Sequence, residues 1–559
     1  MPDYKSLTPD LAVAGQIQPE DMADLAKAGF HSIINNRPDH EAEGQPDSAT
    51  LEKAATDAGL AYAHLPVRPG EISDEQIARF ADLRQSNRAP TLAFCRTGTR
   101  STTLWALSES HRLAPETIQQ VASQAGYDLS KQEARLKNAW QQGPGKQSAK
   151  QEHTPARTWD VLVVGGGAGG LAAAASLLKR RPSLNLAVLE PEDTHFYQPA
   201  WTLVGGGAFR RADTARPMAT VMPRGAKWIR GRVIAFEPEH NQVVLEDGDR
   251  IAYRQLVVAP GLTLDLDAVE GLRDGLGHNG VTSNYLFDYA PYTWECVQNL
   301  NHGRALFTQP PMPIKCAGAP QKALYLSCHH WEQRQILSDI DVHFHVAGGV
   351  LFGVPAFVPP LMEYINRYHA KLDFNSNLKA VDAGQQKAWF IDTDTDGNQS
   401  EREESFDLLH VTPPQKAPDF VANSPLANEA GWLDVDAATL QHPRYANVFA
   451  IGDVSSTSNA KTAAAVRKQA PVLAENLLAV FNGKTPTAHY DGYGACPLTV
   501  EKGKVILAEF GYQGALQSTF PLDPTKARKL YWLLKANGLP RIYFDLMLKG
   551  HEWLTGSRA

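Results

Sequence analysis

The segment Trp159–Gly170, WDVLVVGGGAGG, constrains this chain more than any other: an apolar strand runs straight into a glycine loop. Gly165, Gly167 and Gly170 satisfy G-x-G-x-x-G. A lone match of this kind is weak. Here it follows a strand and opens the Ala/Leu-rich helix Leu171–Leu178. A second strand, Leu184–Leu189, then ends on Glu190, 20 residues past the last glycine. That order predicts a dinucleotide-binding βαβ unit. The first glycine turns the chain, the second lets a pyrophosphate reach backbone N–H groups, and the third lets helix and strand pack. The helix N-terminus adds partial positive charge. Glu190 is expected to hold the ribose hydroxyls.

The chain has 559 residues, too many for one hydrophobic core, so two to four compact units are expected. A net charge of -7 gives no reason to expect nucleic acid as a partner. The start, Met1 to Gly15, lacks the basic and apolar regions of a secretory signal. Five cysteines in this length suit a reducing compartment rather than a disulfide framework. No uncharged apolar stretch reads as a spanning helix. The nearest, Val346–Met362, carries Pro355, Pro359 and Pro360 and is read as strand and loop. There is no internal repeat, and no metal ligands are assigned.

Residues 143–157, GPGKQSAKQEHTPAR, read as a linker. It separates a front domain, 1–142, from a larger domain, 158–525, and a tail, 526–559. The front domain alternates helices (Pro19–Gly29, Ser48–Gly59, Ser73–Ser86) with strands (His31–Asn35, Tyr62–Val67, Thr91–Phe94). Such alternation predicts a parallel α/β sheet. Ser73 and Gln76 form a capping-box pattern.

Two later segments favour FAD over NAD. Leu256–Gly261, LVVAPG, resembles the strand and turn that return to the dinucleotide in flavoprotein reductases. Asn447–Asp453, NVFAIGD, resembles their late flavin motif, where the Asp reaches the ribitol. A second G-x-G-x-x-G is absent from mid-chain. Strand Arg304–Gln309 is followed instead by PPMPIKCAGAPQKA. Proline lacks the N–H that a phosphate needs, so NAD(P)H is not the expected donor. Cys316 in this loop follows Lys315 and precedes a helix predicted from near Pro320. A cation and a helix N-terminus both lower a thiol pKa and favour the nucleophilic thiolate.

From Trp159 onward the chain resembles the sulfide:quinone oxidoreductases of the mitochondrial type, a disulfide-reductase-like flavoprotein family with two dinucleotide-binding domains. The resemblance rests on HFYQPAWTLVGGG (His195–Gly207), IKCAGAPQKALYLS (Ile314–Ser327), HVTPP (His410–Pro414), KTAAAV (Lys461–Val466) and YDGYGACPL (Tyr490–Leu498). It implies FAD at Gly165, Gly167, Gly170, Glu190, Gly261 and Asp453. It further implies sulfide or a small thiol as donor, capture of sulfur as a persulfide on Cys316, and a membrane quinone as acceptor. Lys461 matches the family's lysine and is expected to stabilise reduced flavin.

One departure stands out. The family has a second redox cysteine at the late flavin motif, where this chain has Gly452-Asp453-Val454. Cys328, 12 residues beyond Cys316, would lie roughly 18 Å along a helix, far past the ~7 Å limit for bridging. Cys296 and Cys496 cannot be placed from sequence, and Cys496 is read as a packed structural cysteine. The departure leaves two rival readings open: the same fold with a different donor, or a persulfide carrier or sensor.

Cys95–Ser101, CRTGTRS, has the form Cys-x4-Arg with Cys95 and Arg100 at its ends. Successive N–H groups closed by an arginine make an anion cradle. The front domain, with INNRPD (Ile34–Asp39), is similar to a small bacterial phosphatase-like family. Cys-x4-Arg itself is the rhodanese spacing, so sulfur transfer is favoured over both phosphatase chemistry and a chemically idle loop. For the latter, Glu71 and Asp74 are the candidate acids. The tail carries seven Lys/Arg against two acids among leucines and aromatics, with short helices expected on either side of Gly538 and Pro540. This pattern suits amphipathic helices lying on a membrane surface. The expected location is cytoplasmic, peripheral on the inner face of the cell membrane; a homo-oligomer is left open.

Overall fold

The computed structural model describes residues 2, 4–8, 10–68, 70–86, 90–110, 113, 115–142 and 158–552. The expected linker, 143–157, lies outside the described residues. The chain divides into two compact units, Met1–Ala156 and Arg157–Ala559.

The first unit is built on a five-stranded sheet. Its order is Tyr4–Thr8, Leu11–Ala14, Thr91–Phe94, Ser32–Asn35, Ala61–His64. The last four strands are mutually parallel, as crossover helices demand. The first two form an antiparallel hairpin at the edge, which the helix–strand alternation did not reveal. The capping box forms: Gln76 N–H donates to Ser73 Oγ at 3.2 Å, and Ser73 N–H to Gln76 Oε1 at 3.0 Å. Helix Thr99–Glu109 starts directly after the Cys95 loop, with Gly98 in the left-handed region at φ 85°.

Two larger sheets organise the second unit, one of seven strands and one of five. In the first, Leu186–Leu189, Trp159–Val164, Arg250–Val258 and Val448–Ala450 lie side by side and parallel. Helices Ala168–Arg180 and Ala463–Phe481 pack into the apolar core over it. In the second, Val281–Thr282, Leu408–His410, Gly303–Gln309, Ile340–Val346 and Lys371–Phe374 are all parallel. The loop carrying Cys316 leaves the C-terminal end of Gly303–Gln309, the edge where ligands bind in open α/β sheets. A hairpin, Gly494–Glu501 with Lys504–Phe510, packs beside it.

Two expectations are corrected. Val346–Met362 is not strand and loop throughout: a helix spans Val358–Arg367, with Pro359 and Pro360 in its first turn. Proline is tolerated there because those N–H groups have no intrahelical partner anyway. In the tail, Gly538 and Pro540 do not break the chain into two helices. Helical backbone continues from 529 to 549 through π-type turns at Leu534–Gly538 and Ile542–Leu546, which absorb the proline.

Candidate active site

The glycine loop has the shape its spacing predicts. Gly165 adopts φ 104°, and a Cβ there would overlap the Ala259 carbonyl oxygen. A Cβ on Gly170 would overlap the Gly165 carbonyl oxygen, so the helix can approach the strand only without one. Gly167, by contrast, faces open space. It is the N-cap of helix Ala168–Arg180, and no side chain caps that helix. Its first N–H groups therefore face the cavity unclaimed by any cap. Glu190 accepts from Gly166 N–H at 2.7 Å and from Glu192 N–H at 2.9 Å, and burial raises its pKa. Gly261, at φ 79°, also has open space where a Cβ would point. An uncapped helix terminus, two glycines facing open space and a carboxylate between them fit a dinucleotide diphosphate and ribose.

The same cavity, about 460 Å³, reaches from Gly167 to Cys316 and Lys461. Cys316 is held in the left-handed region at φ 49°. Its N–H donates to Lys461 O at 3.0 Å, and its carbonyl accepts from Ala319 N–H at 2.7 Å. A non-glycine residue in that region is a strained position held by its surroundings. Lys322 Nζ lies 3.0 Å from Cys316 Sγ. The Cys316 thiol pKa is held well below its usual value, first by a hydrogen bond from Cys496, then by Lys322 and Lys535, against the cost of burial. The expected cation, Lys315, instead reaches Gln198 Oε1 at 2.6 Å, between the rings of Trp201 and Tyr285.

Cys496 is corrected too. It is not merely packed structure: it meets Cys316 at the site, and burial with that hydrogen bond raises its own thiol pKa well above normal. Cys328 stands inside helix Ala319–Gln333 and is fully buried, with its thiol pKa raised by burial. Cys296 is pushed up to about 11, mainly by burial. Val454 is fully buried among Leu433, Val258 and Val164, in a different core cluster from Cys316.

Lys461 Nζ donates to the carbonyls of Asp453 at 2.7 Å and Ser455 at 2.9 Å, and lies 4.4 Å over the Trp432 ring. Burial brings its pKa down to about 8. Asp453 is raised by burial, partly offset by Lys461 and Lys315. Three predicted residues, Cys316, Asp453 and Lys461, thus converge on one wall of the cavity that the glycine loop opens. The residues that sequence reasoning missed are Lys322, Lys535 and Cys496. Lys322 carried a signal, being in the first turn of the helix after Cys316. Lys535, whose Nζ donates to Pro497 O at 2.9 Å, carried none.

The tail forms the far wall. Leu534, Leu539, Ile542, Tyr543 and Met547 all line the cavity. Tyr543 hydroxyl is 2.7 Å from His195 Nε2, and the other ring nitrogen is 3.0 Å from Gly166 O. Burial lowers the His195 pKa to about 4, so the ring is neutral. On the other side Leu530 and Leu533 are 59% and 56% exposed. Among the described residues, no helix is long and apolar enough to cross a membrane.

In the first unit Cys95 is fully buried at the base of its loop. Arg100 donates to Val67 O at 2.6 Å and to Glu41 Oε2 at 2.9 Å, and Glu41 also pairs with Arg37. Burial alone would raise the Glu41 pKa, yet the two arginines hold it below normal. Of the candidate acids, Asp74 is paired with Arg135 at 2.7 Å, and Glu71 meets Arg68 through the backbone alone, its N–H donating to Arg68 O at 3.2 Å. Elsewhere, His343, His345 and Glu404 offer metal-type donor atoms within 4.8 Å of one another. The Glu404 carboxylate is already bound by Arg402, with Arg304 at 3.7 Å, which matches its charge without a cation.

Comparison with known proteins agrees with this division. Residues 3–112 match the family model "Beta-lactamase hydrolase-like protein, phosphatase-like domain". Residues 159–290 match "Pyridine nucleotide-disulphide oxidoreductase". The beta-lactamase hydrolase-like protein of Agrobacterium fabrum is 34% identical over 28% of this chain and 35% of its own. The solved sulfide:quinone oxidoreductase of Aquifex aeolicus shares the fold, with a TM-score of 0.60 at 21% identity over 70% of this chain and 91% of that one. The mitochondrial sulfide:quinone oxidoreductase of Mus musculus is 39% identical over 71% of this chain and 88% of its own, and that of Dictyostelium discoideum 38% identical over 72% and 89%. With the glycine loop, the carboxylate and the cysteine in place, the chain belongs to the sulfide:quinone oxidoreductase family of FAD-dependent oxidoreductases, carrying a phosphatase-like domain in front.

Proposed function

We propose that the chain oxidises sulfide to sulfane sulfur at Cys316 and delivers the electrons to a membrane quinone. The observation that carries this reading is the Cys316 sulfur, activated by Lys322 at 3.0 Å on the wall of the cavity that the glycine loop opens. Bound FAD supplies the two-electron acceptor that sulfide oxidation needs. Gly165, Gly167 and Gly170 admit its diphosphate, Glu190 its ribose, and Gly261 and Asp453 the remainder of the cofactor. Cys316 takes up sulfur as a persulfide, whose negative charge Lys322 offsets. Lys461 and Lys315 bring positive charge to the cavity wall and stabilise reduced flavin. The apolar side chains of Leu539, Ile542 and Met547 make the opposite wall suited to a quinone ring. Exposed Leu530 and Leu533, beside Lys529 and Arg541, seat the chain peripherally on the cytoplasmic face of a membrane.

For the front domain, Cys95 accepts sulfane sulfur and Arg100 with the loop N–H groups holds the anion. As it stands, Arg100 is occupied by Glu41, so an incoming anion must displace that carboxylate. Phosphatase chemistry is the second reading, favoured by the match of residues 3–112 to a phosphatase-like domain.

Anaerobic titration tests the main reading. Sulfide should bleach the flavin of the full-length protein, and a short-chain quinone should restore the colour. Cys316→Ser should not bleach. Bleaching of that variant at the wild-type rate, or bleaching by NADH alone, sinks the proposal. Release of phosphate from an aryl phosphate, abolished by Cys95→Ser, would favour the second reading of the front domain.

A further inference from the structure

We infer that Glu509 and Tyr493 form a proton relay to the quinone oxygen. The inference rests on the reading of the apolar cavity wall as the quinone site. Strand Lys504–Phe510 alternates between two faces. Ile506 and Ala508 pack on one side with Leu498 and Val500. Val505 and Leu507 pack on the other, against Tyr531 and Leu534 of the tail. Glu509 continues that second face and is only 4% exposed. Leu507, Glu509, Phe520 and Leu534 line the cavity, as does Tyr493. Among the described residues, the other acids that line it are Glu190, Glu192 and Asp453. Glu190 is bound at the glycine loop with Glu192 beside it, and Asp453 stands near Lys461. Glu509 is therefore the carboxyl group of the tail side. A carboxyl group buried on an apolar face is costly unless hydrogen bonds hold it.

Those bonds form a path. The Tyr493 hydroxyl donates to Glu509 Oε1 at 2.5 Å, a short charge-assisted bond. Thr519 Oγ1 donates to the same oxygen, and Thr519 N–H donates to Glu509 Oε2 at 2.8 Å. Arg467 Nη2 lies 3.5 Å from the Tyr493 hydroxyl, and the Lys468 ammonium 5.3 Å over its ring. Burial, with Glu509 beside it, pushes the Tyr493 phenol up to about 12. The hydroxyl therefore keeps its proton until another replaces it. Thr519 is half-buried, so the path runs from water at Thr519 through Glu509 to Tyr493 in the cavity. Reducing a quinone to the hydroquinone takes two electrons and two protons. The electrons and one proton come from the reduced FAD of the family's activity, and the relay supplies the other proton. Glu509 in its acid form gives its proton to the Tyr493 oxygen while the Tyr493 O–H proton moves to the quinone oxygen. One O–H bond breaks and one forms at each transfer, and the negative charge ends on Glu509. Three donors hold that carboxylate until water at Thr519 returns a proton to it.

The test is anaerobic stopped-flow of the full-length flavoprotein, reduced by sulfide and then mixed with an acceptor. One acceptor is a short-chain quinone, which takes protons; the other is ferricyanide, which takes electrons alone. In Glu509→Gln, reoxidation by the quinone should slow about a hundredfold, while reoxidation by ferricyanide keeps the wild-type rate. Tyr493→Phe should show the same split, and the double variant should lose no more than either single one, because the two groups act in one path. Wild-type reoxidation of Glu509→Gln by quinone overturns the inference. An equal loss with ferricyanide also overturns it, since that marks a general distortion of the site. If Glu509→Gln fails to hold flavin, Tyr493→Phe decides by the same split. A wild type that ferricyanide reoxidises and quinone does not would sink the quinone reading and this inference with it. A wild type that both reoxidise, with unchanged variants, would sink the inference alone.

Discussion

The Lys322 ammonium stands 3.0 Å from the Cys316 sulfur, offered from the first turn of the helix that follows the cysteine loop. An opposite charge at that range favours the thiolate. Lys322→Met removes the charge while keeping the length and apolar stem of the side chain. The pH midpoint for alkylation of Cys316 by iodoacetamide should then rise by about one to three pH units. The rate of flavin bleaching by sulfide at neutral pH should fall with it. An unmoved midpoint would show that the Cys496 hydrogen bond alone holds the thiolate.

Two glycines of one loop should respond differently to the same methyl group. At Gly170 the methyl strikes the Gly165 carbonyl oxygen; at Gly167 it meets nothing. Gly170→Ala is expected to destabilise the flavin domain by about 1–3 kcal/mol or more through forced separation of helix and strand. Gly167→Ala should melt close to wild type as apoprotein but bind FAD weakly, since its methyl occupies the diphosphate's approach. Circular dichroism melts of the apoproteins and flavin absorbance per chain separate the two effects.

The sequence made the glycine loop and its carboxylate legible because their geometry is written locally. Gly165, Gly167, Gly170 and Glu190 sit at fixed spacings within one βαβ unit, and backbone sterics allow few alternatives. The cysteine partner was not legible, because Cys316 and Cys496 are 180 residues apart and meet only when a hairpin packs on a loop. Lys535 is hidden for the same reason. It comes from a segment whose basic and apolar pattern reads as a membrane face, yet its ammonium turns inward to Pro497 O and Thr499 Oγ1. Prolines misled in the opposite direction. Pro359, Pro360 and Pro540 break an average helix interior, but here they fall in a first turn or beside a π-type turn.

In the front domain, acid should loosen the Cys95 loop. Burial raises the Glu41 pKa, but Arg100 and Arg37 outweigh it and hold the folded-state value below normal. A depressed carboxylate contributes stability that is fully present above its unfolded pKa and lost as pH falls through the folded one. The window therefore opens below about pH 4.3. Hydrogen exchange of peptides spanning 36–46 and 95–101 in the full-length protein should quicken there. Glu41→Gln should show fast exchange at neutral pH already and a flatter pH dependence. Equal protection in wild type and variant at pH 7 would mean that the Glu41–Arg100 pair does not hold the loop.

The tail is where the acceptor reading can fail most cleanly. Leu530 and Leu533 are more than half exposed, whereas Tyr531, Tyr543 and Leu548 of the same run are buried. The exposed pair therefore contributes little to the fold. Placing a leucine in apolar surroundings is favourable by about 1.5–3 kcal/mol, so on a membrane surface each leucine changes affinity by at least roughly tenfold. Leu530→Ser with Leu533→Ser should leave the melting temperature and flavin content unchanged. Flotation with vesicles containing anionic lipid should weaken by roughly a hundredfold in affinity. Turnover with quinone dissolved in those vesicles should drop, while turnover with a water-soluble short-chain quinone should persist, because Leu539, Ile542 and Met547 still wall the cavity. Undiminished flotation of the double variant would remove the two leucines from any membrane role and leave the apolar cavity wall to explain quinone access without them.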